Sequence, residues 1–156
     1  MRNENSQIIV DINCDDDEPF EPERLISLAK SVCNRYSVNA ANISIAIVDD
    51  NAIAKINEDF LNHQGATDVI SFDLTGDYGV KEFEIVINSQ QAERQALERG
   101  HSTQAEIALY LTHGLLHNLG FDDQDEKQAK KMHETEDMIL KEEGFGIVYA
   151  GKHRTE

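Results

Sequence analysis

The sequence has few cysteines, no long apolar run and little positive charge, and each shortage excludes a class of protein. Its 156 residues include two cysteines, Cys14 and Cys33, which are too few for the disulfide framework of a small secreted domain. No stretch reaches the ~18 consecutive apolar residues of a membrane span, and the first residues lack the charged-then-apolar pattern of a signal peptide. We therefore expect a soluble cytoplasmic protein with reduced cysteines.

Acidic residues outnumber basic ones by 30 to 14, which gives a formal net charge of -16. This charge repels nucleic acids and anionic membranes at long range, and it attracts cations and basic proteins. Any interaction with RNA must therefore overcome the field of the whole chain. The densest basic patch consists of Lys127, Lys130 and Lys131, which form either a solvated helix face or an RNA contact.

The apolar pattern predicts one α/β (α+β) domain, in which a small mixed four-stranded sheet is covered by helices. Residues 1–144 would form this domain and residues 145–156 a C-terminal tail. Strands are predicted at 6–13, 43–50, 67–74 and 82–89, and helices at 21–36, 51–62, 90–100, 103–119 and 126–144. The third and fourth strands flank a turn with two glycines, so we expect them to form a hairpin.

The stretch LTHGLLHNLGFDD at 111–123 contains the pattern H-x-x-x-H-x-x-G-x-x-D. Histidines four residues apart project from one face of a helix, a turn apart, so that both reach one ion. Gly120 accepts the left-handed conformation that ends a helix and lets the chain reverse, which brings Asp123 towards the pair. Two nitrogens and one carboxylate oxygen leave a fourth position open, as in catalytic zinc sites. We predict a metal site formed by His113, His117 and Asp123.

The source of a catalytic base is left open by the sequence. In H-E-x-x-H proteases the residue after the first histidine is a glutamate base, but Gly114 occupies that position here. Either the ion activates water unaided, or a base comes from elsewhere, and Asp122 is the nearest candidate. Glu106 could orient an imidazole, or it could only complete a capping box with Thr103.

These residues resemble the signature of the YbeY family of bacterial rRNA maturation endoribonucleases, H-G-x-L-H-x-x-G-[YF]-D-H. HGLLHNLGFD at 113–122 matches it. TDVISF at 67–72 and EIVI at 84–87 are similar to the family's strands T-D-V-[LI]-S-F and G-[DE]-[IL]-[VA]-I. The resemblance runs from about residue 43 to residue 142, with the motifs in matching order.

The resemblance implies a compact zincin-like domain that binds one zinc ion through His113 and His117. Manganese, nickel and iron are the alternative metals that we consider. It implies cleavage of single-stranded RNA during 16S rRNA 3′-end maturation and ribosome quality control. The partners would be ribosomal RNA, the small ribosomal subunit and its basic proteins. No membrane partner is expected, and the oligomeric state is left open.

The chain departs from the family pattern at two positions. Asp123 stands where the third ligand is usually histidine, and an oxygen ligand favours harder metals such as manganese or iron. Leu61 stands where many members have an arginine that the resemblance implies contacts phosphate. His63 could be a weaker substitute for that cation, or a bystander. His101, His133 and His153 have no second ligand at a useful spacing, so we predict that they are surface groups.

Three functions are compatible with these residues: an endoribonuclease, a metallopeptidase, and a non-catalytic ribosome assembly factor with a structural metal. Gly114 opposes the peptidase, because amide hydrolysis usually needs a glutamate to deliver a proton to the leaving amine. The net charge of -16 favours docking on basic proteins. The endoribonuclease is the leading hypothesis.

Overall fold

The computed structural model describes residues 7–14, 20–77 and 79–146. The predicted order of strands and helices is confirmed within these ranges. The elements are β1 (Gln7–Cys14), α1 (Pro22–Arg35), β2 (Ala40–Val48), α2 (Asp50–Leu61), β3 (Val69–Asp73), β4 (Lys81–Asn88), α3 (Ser89–Arg99), α4 (Thr103–Asn118) and α5 (Glu126–Glu142). The bounds differ from the predicted ones by up to three residues.

The four strands form one mixed sheet in the order β1-β2-β4-β3. β1 pairs with β2 and β2 with β4 in parallel, whereas β3 and β4 are antiparallel. The predicted hairpin and the predicted fold class are therefore confirmed. Parallel neighbours need a crossover connection, which explains why α1 separates β1 from β2 along the chain.

Helix α4 lies at the centre of the molecule and contacts α1, α3, α5, β3 and β4. A helix that is apolar on most of its surface is buried, and the side chains of Ile107, Leu111 and Leu115 are completely buried. Gly114 lets this helix approach the sheet closely. A Cβ atom there would lie 3.2 Å from Ile85 Cγ2 and 3.3 Å from Val69 Cγ2. Position 114 therefore faces the sheet.

The start of α4 differs from the predicted capping box by one residue. Ser102 is the N-cap, and its side chain accepts a hydrogen bond from the backbone N–H of Ala105 at 3.1 Å. Thr103 is the first helical residue. Glu106 is consequently one position too far along the helix to complete a capping box with its N-cap, and its carboxylate is bonded elsewhere.

Phe145 packs against the core, and the guanidinium of Arg24 lies 4.1 Å from the centre of its ring. The rest of the predicted tail, residues 147–156, lies outside the described residues, as does the whole of the acidic segment 15–18. Cys14 is exposed and Cys33 buried, and neither is in a disulfide. None of the helices in the described ranges combines the length and hydrophobicity needed to cross a bilayer.

Candidate metal centre

The C-terminus of α4 reverses the chain through a Schellman motif. The N–H of Gly120 donates to His117 O at 3.1 Å, and the N–H of Phe121 donates to Leu116 O at 2.9 Å. This motif requires a left-handed residue, and Gly120 has φ +104°. The Phe121 ring then packs edge-on against Tyr36, with 5.5 Å between ring centroids. The reversal carries the following residues back towards α4.

The three predicted ligands converge at this end of α4. The Nε2 atoms of His113 and His117 are 3.2 Å apart. Asp123 Oδ2 lies 3.7 Å from the first and 3.6 Å from the second. All three side chains are partly exposed, at 23%, 32% and 39%. The structure thus brings together atoms from one helix and from the loop that follows it.

These spacings fit a single ion. Ligands about 2.0–2.2 Å from a tetrahedral metal lie about 3.3–3.6 Å from one another, and the three measured separations are 3.2, 3.6 and 3.7 Å. Two imidazole nitrogens and one carboxylate oxygen are a donor set that zinc and harder divalent metals accept. The geometry leaves the choice among these metals open.

Glu136 of α5 holds the opposite edge of the His113 ring. Its carboxylate is completely buried, and its Oε2 lies 2.5 Å from His113 Nδ1. A proton on Nδ1 leaves Nε2 unprotonated for an ion. Burial alone would lower the pKa of His113, but the hydrogen bond and charge of Glu136 outweigh it, so that the pKa is raised.

His133 is not the surface group predicted from its sequence neighbours. Its side chain is 23% exposed, and its Nδ1 lies 3.0 Å from Glu136 Oε1. The ring lies nearly parallel to that of His113, with 6.3 Å between centroids. His113, His133 and Glu136 form a second group whose ligand atoms lie within 4.8 Å of one another, close enough to be considered as a ligand set. A separation of 2.5 Å is that of a hydrogen bond, however, and is too short for two ligands of one ion.

Glu106 neither orients an imidazole of the predicted metal site nor completes a capping box with Thr103. It is completely buried, and Arg99 Nη1 donates to both of its carboxylate oxygens, at 2.9 and 3.2 Å. His101 Nε2 lies 3.4 Å from the same carboxylate. Burial raises the pKa of Glu106, and the charges of Arg99 and His101 oppose that effect. The imidazole orientation proposed for Glu106 is instead provided by Glu136.

A polar cleft of about 430 Å³ opens beside the three ligands. His113, Asp123, His133 and Glu136 line one part of it. Residues of α3, of the middle of α4 and of the segment before β3 line the remainder, among them Asp68, Gln91, Gln95, Arg99 and Tyr110. A substrate in this cleft would contact both the ligand cluster and the α3 side chains.

The structure does not bring the other predicted site residues into this cleft. Asp122 lines an adjacent groove with Gln128 and Lys131, and its Oδ1 accepts a hydrogen bond from Asp123 N at 2.7 Å. His63 lies in the exposed loop after α2, and its N–H donates to Asn57 O. Catalytic roles for Asp122 and His63 remain predictions.

Sequence reasoning missed three residues of this region: Glu136, His133 and Arg99. The pair H-x-x-E at 133–136 places an imidazole and a carboxylate on one helix face, and this was the available signal. Nothing in the local pattern connects that face with His113, which lies 23 residues earlier than Glu136.

The fold and the cluster define the class: a single α/β domain with a candidate metal centre at the end of its central helix. The model of the family Endoribonuclease YbeY matches residues 11–144. The chain belongs to this family.

Curated relatives carry the same name. A protein named Endoribonuclease YbeY from Carboxydothermus hydrogenoformans is 37% identical over 117 residues, which cover 74% of this chain and 82% of that protein. The protein of that name from Myxococcus xanthus is 37% identical over 126 residues, which are 78% of this chain. The match spans 43% of the length of the Myxococcus protein.

A solved structure supports the fold. The solution structure of TM1509 from Thermotoga maritima matches with a TM-score of 0.58 at 21% sequence identity. The match covers 96% of this chain and 93% of the Thermotoga chain.

Proposed function

We propose that this chain is a metal-dependent endoribonuclease that cuts single-stranded RNA during 16S rRNA 3′-end maturation and ribosome quality control. The observation that carries the proposal is the convergence of His113, His117 and Asp123 on one point, with separations of 3.2 to 3.7 Å. Membership of the family supports the endoribonuclease activity. The proposal includes ribosomal RNA as the substrate, and the small ribosomal subunit and its basic proteins as partners.

The side chains divide the work of the site. His113 and His117 would hold the ion through their Nε2 nitrogens, and Asp123 would hold it through a carboxylate oxygen. A bound divalent metal supplies positive charge that polarises a phosphodiester and stabilises the charge that develops on its oxygens. Glu136 keeps a proton on His113 Nδ1 and fixes the ring plane. The polar cleft beside the ligands holds the RNA strand.

Zinc is the metal that we propose, because two imidazoles and one further ligand are typical of catalytic zinc sites. The carboxylate of Asp123 also suits a harder metal such as manganese or iron, and the two imidazoles suit iron or nickel. Purification without oxygen, followed by elemental analysis, identifies the native metal, because an oxygen-sensitive ion such as iron(II) is then retained.

The proposal is tested by metal content and RNA cleavage measured on the same preparations. The double variant His113→Ala, His117→Ala should lose both stoichiometric metal and cleavage of a labelled single-stranded RNA. His63→Ala is the matched control for metal binding, because this histidine is exposed and outside the cleft, and it should keep a full equivalent of metal. A full equivalent of metal in the double variant would rule out the site as described.

The same assay separates the competing functions. Efficient cleavage of casein but not of RNA would identify a peptidase. Metal binding with cleavage of neither substrate, including rRNA in a small-subunit precursor, would identify an assembly factor with a structural ion. The position of Gly114 argues against the peptidase, because a glutamate side chain there would point towards Ile85 and Val69 in the sheet.

A further inference from the structure

One arginine lies in the wall of the cleft that also contains the ligand cluster. Arg99 is the last residue of α3, its side chain is 14% exposed, and it lines the cleft together with His113 and Asp123. Among the described residues that line this cleft, Arg99 is the only arginine or lysine. A polyanion that enters the cleft meets permanent positive charge from the protein at this residue.

The buried carboxylate of Glu106 holds the guanidinium of Arg99 in place. Both of its hydrogen bonds within the described part of the chain come from Nη1, at 2.9 and 3.2 Å from the oxygens of the buried Glu106. A guanidinium has five N–H donors in a planar fork, so the donors on Nη2 and Nε are outside this pairing. A fork of this kind matches the oxygens of a phosphate. Holding the side chain beforehand reduces the entropy lost on binding.

The neighbouring basic residues are placed differently. Arg94, five residues earlier on α3, donates from Nη1 and Nη2 to the two carboxylate oxygens of Asp50, each at 2.9 Å. Lys131 lines the adjacent groove with Asp122. Leu61 occupies the position at which the family resemblance implied an arginine, and it is 39% exposed. Arg99 can supply the cation that position 61 lacks.

Polar side chains continue the same wall of the cleft. Gln91 and Gln95 precede Arg99 at intervals of four residues, and all three line the cleft. Residues at this spacing form one row on a helix, about 12 Å long at a rise of 1.5 Å per residue. Amide groups beside a guanidinium can donate to the sugar and phosphate oxygens of a nucleic acid strand. The carboxylate of Asp68 lines another part of the cleft and disfavours a strand that lies there.

We propose that Arg99 binds a phosphate of the RNA strand that flanks the phosphodiester at the metal centre, with Gln95 as the adjacent donor. The proposal rests on the endoribonuclease function proposed above and adds the subsite that holds the substrate. The buried Glu106 positions the guanidinium through Nη1, and the N–H groups on Nη2 and Nε of Arg99 donate to the phosphate oxygens.

The test measures the Kd of a labelled single-stranded RNA, the KM and kcat of cleavage, and the salt dependence of each, using the metal-loaded protein. Arg99→Gln should raise the Kd about tenfold, since a charge-assisted hydrogen bond is lost. It should also shift the slope of the logarithm of the association constant against log salt by about +0.7, the contribution of one phosphate contact on a single strand. The metal content should be unchanged. Arg94→Gln is the matched control and should leave the Kd and slope as in the wild type.

A purely structural role for Arg99 is distinguished by its partner. Glu106→Gln removes the neutralising charge but leaves the cation and an amide oxygen that can still accept from Arg99 Nη1, so RNA should bind at least as tightly as to the wild type. A structural ion pair would instead make the two single variants equally harmful. Arg99→Gln leaves a buried carboxylate unpaired, which can prevent folding. The double variant Arg99→Gln, Glu106→Gln removes both charges and is compared with Glu106→Gln alone.

The outcomes separate this subsite from the function on which it rests. A wild-type protein that cleaves RNA, together with a double variant whose Kd and salt slope equal those of Glu106→Gln, would overturn the subsite only. A loaded wild-type protein that neither binds nor cleaves RNA would overturn the proposed function and the subsite with it. Weaker binding and a salt slope shifted in the positive direction in the double variant, relative to Glu106→Gln, would establish Arg99 as a phosphate ligand.

Discussion

At the scale of single residues, the candidate centre depends on which nitrogen of each imidazole faces the ion. The two ring nitrogens of histidine are distinct, and the hydrogen bond at one of them decides which is available as a ligand. His113 has Glu136 at Nδ1 and Asp123 near Nε2. The buried carboxylate therefore selects the form of the ring that can bind metal, although Glu136 itself does not contact the ion.

Glu136→Gln should weaken metal binding by about 10- to 100-fold, the usual effect of losing a partner that orients a ligand. The affinity is measured by competition with a chromophoric chelator. Glu106→Gln is a matched control, because Glu106 is equally buried but is paired with Arg99, and it should leave the metal affinity unchanged. Nitrogen chemical shifts of the His113 ring in the metal-free protein should show the loss of the Nδ1–H form in the Glu136 variant. Unaltered affinity in that variant would contradict the orienting role.

Asp123→His should retain one metal per chain and shift the preference from manganese towards zinc, because a nitrogen ligand is softer than a carboxylate oxygen. The measurement is the metal content after equilibration with a mixture of both ions under anaerobic conditions. Asp122→Asn serves as the control, since this neighbour lines the adjacent groove. If only the Asp122 variant changed the metal preference, Asp122 would be the third ligand instead.

At the scale of elements, the site depends on how closely α4 packs on the sheet. α4 contacts both strands of the β3–β4 hairpin, and Gly114 faces that hairpin through Ile85 and Val69. Because Gly114 has no Cβ, α4 lies close to the sheet. This distance determines where the side chain of His113, the preceding residue, projects. The same packing explains why the glutamate of a peptidase motif has no place at position 114.

Gly114→Val should lower the free energy of unfolding by about 2 kcal/mol, within the usual range for overfilling a packed core. The added atoms would meet Ile85 and Val69, which a Cβ alone would approach to 3.2 and 3.3 Å. Urea denaturation of the metal-free protein measures the change. Gly76→Val is the control, because a Cβ at Gly76 would meet no atom within 4 Å. Equal stability of the Gly114 variant and the wild type would show that the sheet can yield at this point.

At the scale of the whole molecule, the electrostatic field opposes the proposed substrate. The net charge of -16 repels a polyanion at long range, whereas Arg99 acts only within the cleft. Lys127, Lys130 and Lys131 are exposed on α5 and do not line the cleft. Basic ribosomal proteins could reverse the field at a docking surface, which connects the acidic composition with the proposed partners.

We therefore expect much faster cleavage of a single-stranded RNA within a small-subunit precursor than of the same RNA free in solution. Cleavage of the free RNA should not weaken as salt rises, because salt screens the overall repulsion as well as the local attraction. Initial rates on both substrates are compared across salt concentrations. Equal rates, together with a steep loss on adding salt, would show that local cations dominate and that docking on the particle is unnecessary.

The sequence alone determined the features that depend on near neighbours in the chain. The spacing of His113, His117 and Gly120 places two imidazoles on one helix face and reverses the chain, because four residues make about one helical turn. The alternation of apolar residues identified the strands and their hairpin. The N-cap of α4 was predicted one residue too late, at Thr103 instead of Ser102. Serine and threonine are both good N-caps, and only the folded backbone distinguishes between these two positions.

Only the tertiary structure decided the features that join distant segments. The sheet order β1-β2-β4-β3 places β4 beside β2, and α5 packs on α4 so that Glu136 meets His113. Arginine is usually a surface residue, but its ion pair with the buried Glu106 makes Arg99 part of the cleft wall. These contacts are set by the burial of apolar faces over the whole core, and no local spacing rule specifies which charged group such packing brings beside an imidazole.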